Sequence, residues 1–161
     1  MKFRWVFISL ALLVALAAPA MAQTSSSVVK VTPGESSYKV KQGAAAKLEL
    51  VLDIDDGYHI NSNRPNDKNL IATAVKFDKT QGLTLAPVVY PKAKMQKFEF
   101  SEKPLSVFEG KTVLKLTARA GPALPAGNHV LKGKLTVQAC NNQVCLRPQT
   151  VDVEIPLEVV K

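Results

Sequence analysis

Cys140 and Cys145 are the two cysteines of this 161-residue chain, with four residues between them in "VQACNNQVCLRPQ" (137–149). Two thiols at that spacing can do one of two things. They can close a small loop as a permanent cross-link, or they can carry electrons through a reversible disulfide. In the second case a thiolate attacks a disulfide sulfur and a neighbouring thiol resolves the product. As a staple the pair is poorly placed. Closing a loop this short restrains the unfolded chain by about 2 kcal/mol, against about 4.7 kcal/mol for a 100-residue loop. The immunoglobulin disulfide, by contrast, joins cysteines far apart in sequence across a core.

The elements that must position the pair are strands. Leu135, Val137 and Ala139 share one face of a period-two pattern, and Lys134, Thr136, Gln138 and Cys140 share the other, so Cys140 is expected on the polar face. A hairpin through Asn141–Val144 would set Cys140 opposite Cys145, since Asn tolerates turn conformations, at a Cα separation of about 5.5 Å. Cys145 and Arg147 would then share an exposed face. Val151, Val153 and Ile155, at the same parity, read as the buried set of the last strand, so a bulge near Pro148 is expected. Arg147 and Lys134 are candidates to favour a thiolate.

Before this region, "SYKVKQG" (37–43), "AKLELVLDI" (46–54), "YHI" (58–60), "LIATAVKFDK" (70–79), "LTLAPVVYP" (83–91) and "KTVLKLTARA" (111–120) read as strands or extended segments. Asp55-Asp56-Gly57, Gln81-Gly82 and Glu109-Gly110 punctuate them as turns, and "NSNRPNDKN" (61–69) and "GPALPAGN" (121–128) as loops. The stretch from Lys92 to Pro104 reads as basic and irregular. "HVLKGKLTVQAC" (129–140) and "CLRPQTVDVEIPLEV" (145–159) complete the series. Seven to nine short strands at even spacing predict an all-β, immunoglobulin-like antiparallel β-sandwich.

"MKFRWVFISLALLVALAAPAMA" has the basic start, short apolar run and Ala-Met-Ala end of a secretory signal peptide, with cleavage expected after Ala22. The expected organisation is a signal peptide over 1–22, a flexible Ser-rich leader over 23–27 and one domain over 28–161. Loss of Lys2 and Arg4 takes the formal charge from +8 to +6, a moderate excess that in an exported chain does not imply a nucleic-acid partner.

The most specific motif is Gln138-Ala139-Cys140 followed after four residues by Cys145-Leu146 and Pro148. Supporting pieces are "DGYHINSNRP" (56–65), Tyr90-Pro91-Lys92 and Phe108-Glu109-Gly110. From about Val28 to Val159 the chain resembles the N-terminal periplasmic domain of the thiol:disulfide interchange protein DsbD, the disulfide bond corrector family. The resemblance implies an immunoglobulin-like fold in a periplasmic monomer. Its cysteine pair would relay electrons from a membrane-linked reductant to thioredoxin-fold proteins. It assigns the mixed disulfide to Cys145 and its resolution to Cys140. It also implies a cap over the pair, with Phe100 as the aromatic tip and Phe98 beside it, and sets Tyr58, His59 and Asn61 near the site, where Arg147 is expected from its position two residues after Cys145. The chain departs from the family in having Val137 where a tyrosine is frequent, and Arg147-Pro148 where two prolines are. With no thioredoxin-like or membrane segment after Lys161, the electron donor is expected to be a separate membrane-embedded protein.

Two other readings stand beside this one. A secreted immunoglobulin-like binding module with a structural disulfide would use the same cysteines without exchange. In it, Phe98 and Phe100 of "KFEFSEK" (97–103) would simply fill a core and His59 would be scaffold. Metal binding through Cys140, Cys145, His59, His129 or Met95 lacks any paired Cys-x-x-Cys spacing, and the Asp53, Asp55, Asp56 cluster lacks that of a calcium loop, so no metal or other cofactor is expected.

Overall fold

Leu48, Leu50, Leu52 and Ile54 alternate with more exposed residues along one strand, and Leu114, Leu116, Ala118 and Ala120 do so along another. The two strands pair antiparallel, Leu48 opposite Leu116 and Leu50 opposite Leu114, so their apolar faces form one continuous wall. The opposite wall comes from Leu131, Leu135 and Val137 of one strand and Val153, Ile155, Leu157 and Val159 of its partner. Burial of these two faces against each other is the main source of stability, since each fully buried Leu, Ile or Val contributes roughly 1.5–3 kcal/mol.

The computed structural model describes residues 23–161, so the expected signal peptide and its cleavage site lie outside the described residues. Twelve strands follow in order: β1 (Val29–Pro33), β2 (Tyr38–Lys41), β3 (Ala45–Ile54), β4 (His59–Asn61), β5 (Ala74–Phe77), β6 (Leu83–Leu85), β7 (Lys94–Gln96), β8 (Leu105–Phe108), β9 (Lys111–Ala120), β10 (Gly127–Val137), β11 (Ala139–Cys140) and β12 (Gln149–Val160). They form two four-stranded sheets, β1-β3-β9-β6 and β2-β12-β10-β5, which face each other across the core. A third, small sheet runs β11-β4-β8-β7. Pairing is antiparallel throughout these sheets apart from β2 on β12. The protein is an immunoglobulin-like β-sandwich, with the third sheet carrying Cys140 and Cys145 bridged to it.

Several boundaries differ from the sequence reading. The expected strand over 70–79 shortens to Ala74–Phe77 because its first residues bond elsewhere. Ile71 N donates to Gln138 Oε1 (3.1 Å), Thr73 N to Ser62 O (3.1 Å) and Thr73 Oγ1 to Asn61 O (2.6 Å). Lys94–Gln96, expected to be irregular, is an edge strand with all three residues exposed. Gln23–Ser27 is docked rather than free. Ser25–Ser27 make one 3-10 turn, and Ser25 is fully buried.

Candidate functional site

The chain reaches the cysteines by changing sheets. Val137 is the last residue of β10 paired with β12, opposite Gln149. Two residues later Ala139 lies opposite Ile60 of β4 instead. Gln138 makes the crossing possible: its carbonyl accepts from Asn61 N (3.3 Å), and its side-chain Oε1 accepts from Asn61 Nδ2 (3.1 Å) and Ile71 N (3.1 Å). Ala139 N, no longer in the β12 ladder, donates to Ser25 Oγ (2.9 Å), which itself donates to Arg147 O (2.7 Å). One buried serine of the leader therefore ties both arms of the cysteine hairpin together.

This crossing corrects the expected face of the first cysteine. Cys140 is fully buried, and so is Ala139, because the alternation of β10 ends at Gln138 and Cys140 lies in the third sheet. Cys145 is only half-buried. The face change expected near Pro148 occurs between Leu146, which packs on the core, and Val151, which does so at the other parity. It is made across the break at Arg147-Pro148, before β12 begins.

Cys140 and Cys145 are disulfide-bonded, with Cα atoms 3.9 Å apart. The backbone bonds Leu146 N to Ala139 O (2.8 Å) and Asn141 N to Val144 O (2.9 Å) flank them. The two cysteines thus form a non-hydrogen-bonded cross-strand pair, the closer of the two antiparallel spacings, rather than the wider one expected. Asn141 closes the loop, its Oδ1 accepting from Gln143 N (2.9 Å) and Val144 N (2.8 Å). Asn142 Nδ2 donates to Glu99 Oε1 (3.1 Å), tethering the loop to the Phe98–Phe100 segment.

His59 of β4 lies directly opposite Cys140. It is buried, and the ring of Phe98 stacks on it at 3.8 Å between centroids and 17° between planes. Phe100 is more distant, 6.4 Å from His59 and 5.6 Å from Phe98, and it is exposed, whereas Phe98 is buried with Leu105 and Val107. The two phenylalanines thus have different surroundings. Burial lowers the His59 pKa to about 4, partly opposed by the Glu109 carboxylate, so the ring is uncharged at neutral pH. No hydrogen bond reaches its Nε2.

His59, Phe98 and Asn142 form part of the wall of a cleft of about 360 Å³, which Asp55, Asp56, Gln96 and Glu109 complete. Its acidic rim is built by two turns in which glycine takes positive φ, Gly57 at 80° and Gly110 at 57°. Glu109 also pairs with Lys94 at 3.3 Å.

The remaining candidates are less central. Tyr58 is half-buried and donates to Gln23 Oε1 (2.9 Å). Asn61 is buried, its Nδ2 also donating to Ile71 O (3.0 Å) and its Oδ1 unpartnered. Arg147 has an exposed side chain and uses its backbone to receive Ser25. Lys134 does not serve the cysteines: it pairs with Asp152 at 2.7 Å in the β10–β12 ladder. His129 bonds Pro125 O (2.8 Å) at the opposite end of β10, and Met95 is exposed on β7, so of the residues of the metal reading only Cys140, Cys145 and His59 lie together, with both sulfurs committed to the disulfide. Sequence reasoning missed Ser25 and the carboxylate of Glu109. Ser25 carried no signal in a serine-rich stretch, and Glu109 was visible only as part of a turn.

Among solved structures, the chain is similar to a PapD-like domain of human CEP192 (12% identity, 91% of this chain and 96% of that one, TM-score 0.37). It is also similar to domains 4 and 5 of the S-layer protein SbsC (15% identity, 83% and 53%, TM-score 0.36). A third is BcpA, the major pilin subunit of Bacillus cereus (8% identity, 82% and 41%, TM-score 0.44). The chain spans about half the length or less of the latter two. No curated protein matches it. One family model does match, over residues 27–156, a span that holds both cysteines, His59 and the Phe98–Phe100 segment, and the chain belongs to that family: thiol:disulfide interchange protein DsbD, N-terminal.

Proposed function

We propose that the protein is a periplasmic thiol:disulfide exchange domain that receives electrons from a membrane-linked reductant and passes them to thioredoxin-fold clients through Cys140 and Cys145. The observation that carries this reading is the disulfide across a six-residue hairpin, with one cysteine fully buried and the other half-buried, in a chain of the DsbD N-terminal family. Exchange needs one sulfur that a partner can reach and a second that completes the reaction from behind. Cys145 takes the first role and Cys140 the second. Phe100, exposed beside the buried Phe98, is the candidate cap residue, and Tyr58, Asn61 and Arg147 shape the surroundings.

Burial of Cys140 also suits the second reading, a binding module with a structural disulfide. A reduction potential below about −300 mV would favour that module, and one in the thioredoxin-like range the shuttle. Trapping tests the roles directly. Cys140→Ser should accumulate a reducible covalent adduct with a thioredoxin-fold partner on non-reducing gels, Cys145→Ser much less, and Phe100→Ala should speed reaction with a small disulfide. Equal trapping by both cysteine variants would overturn the role assignment. No trapping by either would favour the binding module.

A further inference from the structure

We infer that the acidic cleft beside the cysteine hairpin receives an arginine side chain of the client, an inference that rests on the exchange reading above and names what the client carries near its disulfide. Asp55, Asp56 and Glu109 line the cleft, and no lysine or arginine does. Among the described residues Asp55 and Asp56 make no salt bridge. Glu109 pairs with Lys94, which is not part of the cleft wall. The chain as a whole has a formal charge of +8, so this concentration of carboxylates is local and runs against the general balance.

A second observation points to the same ligand. His59, 2% exposed, forms part of the cleft wall, and its Nε2 has no hydrogen-bond partner. Buried polar atoms are nearly always partnered, so one without a partner calls for a reason. Held uncharged by burial, the imidazole keeps one nitrogen as an acceptor. The cleft is the open space that the ring borders, so a donor approaches it from there. Negative charge at the rim and a neutral acceptor in the wall together call for a cationic N–H donor.

The spread of these groups selects the kind of cation. Among the described residues no three His, Cys, Asp or Glu side chains converge closely enough to hold one metal ion. The acceptors come instead from separate elements: the turn after β3, β4 itself, and the turn between β8 and β9. A guanidinium spreads five N–H donors over a plane, whereas the three of an ammonium leave a single nitrogen, so arginine reaches such acceptors better than lysine. The cleft also adjoins the reacting sulfurs. Asn142, in the loop between the cysteines, belongs to its wall, and His59 lies opposite Cys140. A client sulfur joined to Cys145 therefore brings the residues flanking the client disulfide over the cleft. The arginine orients the client and takes no part in the bond changes.

The test uses synthetic peptides closed by an oxidised Cys-x-x-Cys, with arginine stepped through the flanking positions and citrulline, its uncharged counterpart, as control. Their reduction by the reduced protein is followed at pH 7 by acid quench and mass spectrometry. The best-placed arginine should raise the rate about fivefold to tenfold over citrulline at the same position, between the worth of an exposed ion pair and that of a charge-assisted bond. The readout is this ratio within each variant, so a general loss of reactivity cancels. Asp55→Asn combined with Asp56→Asn, and separately Glu109→Gln, should lower it about twofold to threefold. His59→Phe removes an acceptor but no charge and should lower it about twofold, which general attraction between charges would not do. If that variant folds poorly, the carboxylate variants decide. A ratio near one at every position, or one that no cleft variant moves, would overturn this inference while the exchange reading stands. Suppression of the reaction by free arginine at peptide concentration would assign the cleft to a small molecule and overturn the docking role. Failure to reduce any peptide would overturn the exchange reading and the inference together.

Discussion

Acidification from pH 7 to pH 4 should destabilise the protein in a way that depends on one residue, His59. In the unfolded chain its imidazole titrates at 6.5, and in the fold burial lowers this to about 4. Between those values the unfolded state binds the proton that the folded state refuses, so the stabilisation is complete above pH 6.5 and is lost as pH falls toward 4. With each pH unit of separation corresponding to about 1.4 kcal/mol, the full loss is at most about 3.5 kcal/mol, of which roughly 2–3 kcal/mol falls between pH 7 and pH 4, a large part of an ordinary domain's stability. The burial responsible comes from the Phe98 stack and the position of β4 between β11 and β8. Urea melts at pH 7, 5.5 and 4 on the unaltered protein and on His59→Phe isolate the contribution. Carboxylates such as Asp152, held below its usual range by its hydrogen bond to Lys134, titrate in both proteins and cancel in the difference. The unaltered protein should lose roughly 2–3 kcal/mol more than the variant over this interval. Equal losses in the two would refute the idea that His59 is held neutral by burial.

Reduction of the disulfide should leave the sandwich folded and lower its stability by about 2 kcal/mol, because the Asn141 turn and the two flanking backbone bonds still close the hairpin. Denaturant melts of the oxidised and reduced forms measure it, and global unfolding on reduction would restore the staple. Ser25→Ala should cost about 1–3 kcal/mol in the same melts, since it leaves the buried Ala139 N–H without its acceptor and removes a bond to Arg147 O. A cost below about 0.5 kcal/mol would show that the leader does not hold the hairpin.

Period-two alternation was enough to place β3 and β9 within a residue of their bounds, to identify the body of β10 and β12, and to give the sandwich class. It worked there because those strands are long, have one face on the core, and are satisfied by neighbours of the same kind. Short β1 and β7 escaped it. β7 buries nothing, so no apolar residue marks it. The cysteine spacing and its surrounding motif showed a small hairpin and the family, and Asn141 showed its turn, because all of these are local properties of covalent distance and side-chain reach.

The face of Cys140 was not local. Alternation assigned it to the polar side on the assumption that β10 continued in one sheet. Whether a strand continues depends on which partner takes its next N–H and C=O. Here those partners are Asn61 and Ser25, far away in the chain, and Ile71 takes the side chain of Gln138. Local pattern alone was enough to mark the cysteine hairpin and the class of scaffold that holds it. Only the tertiary structure decided that one cysteine is buried against His59 while the other remains half-exposed, because that asymmetry arises from a change of sheet that long-range hydrogen bonds make and no periodicity records.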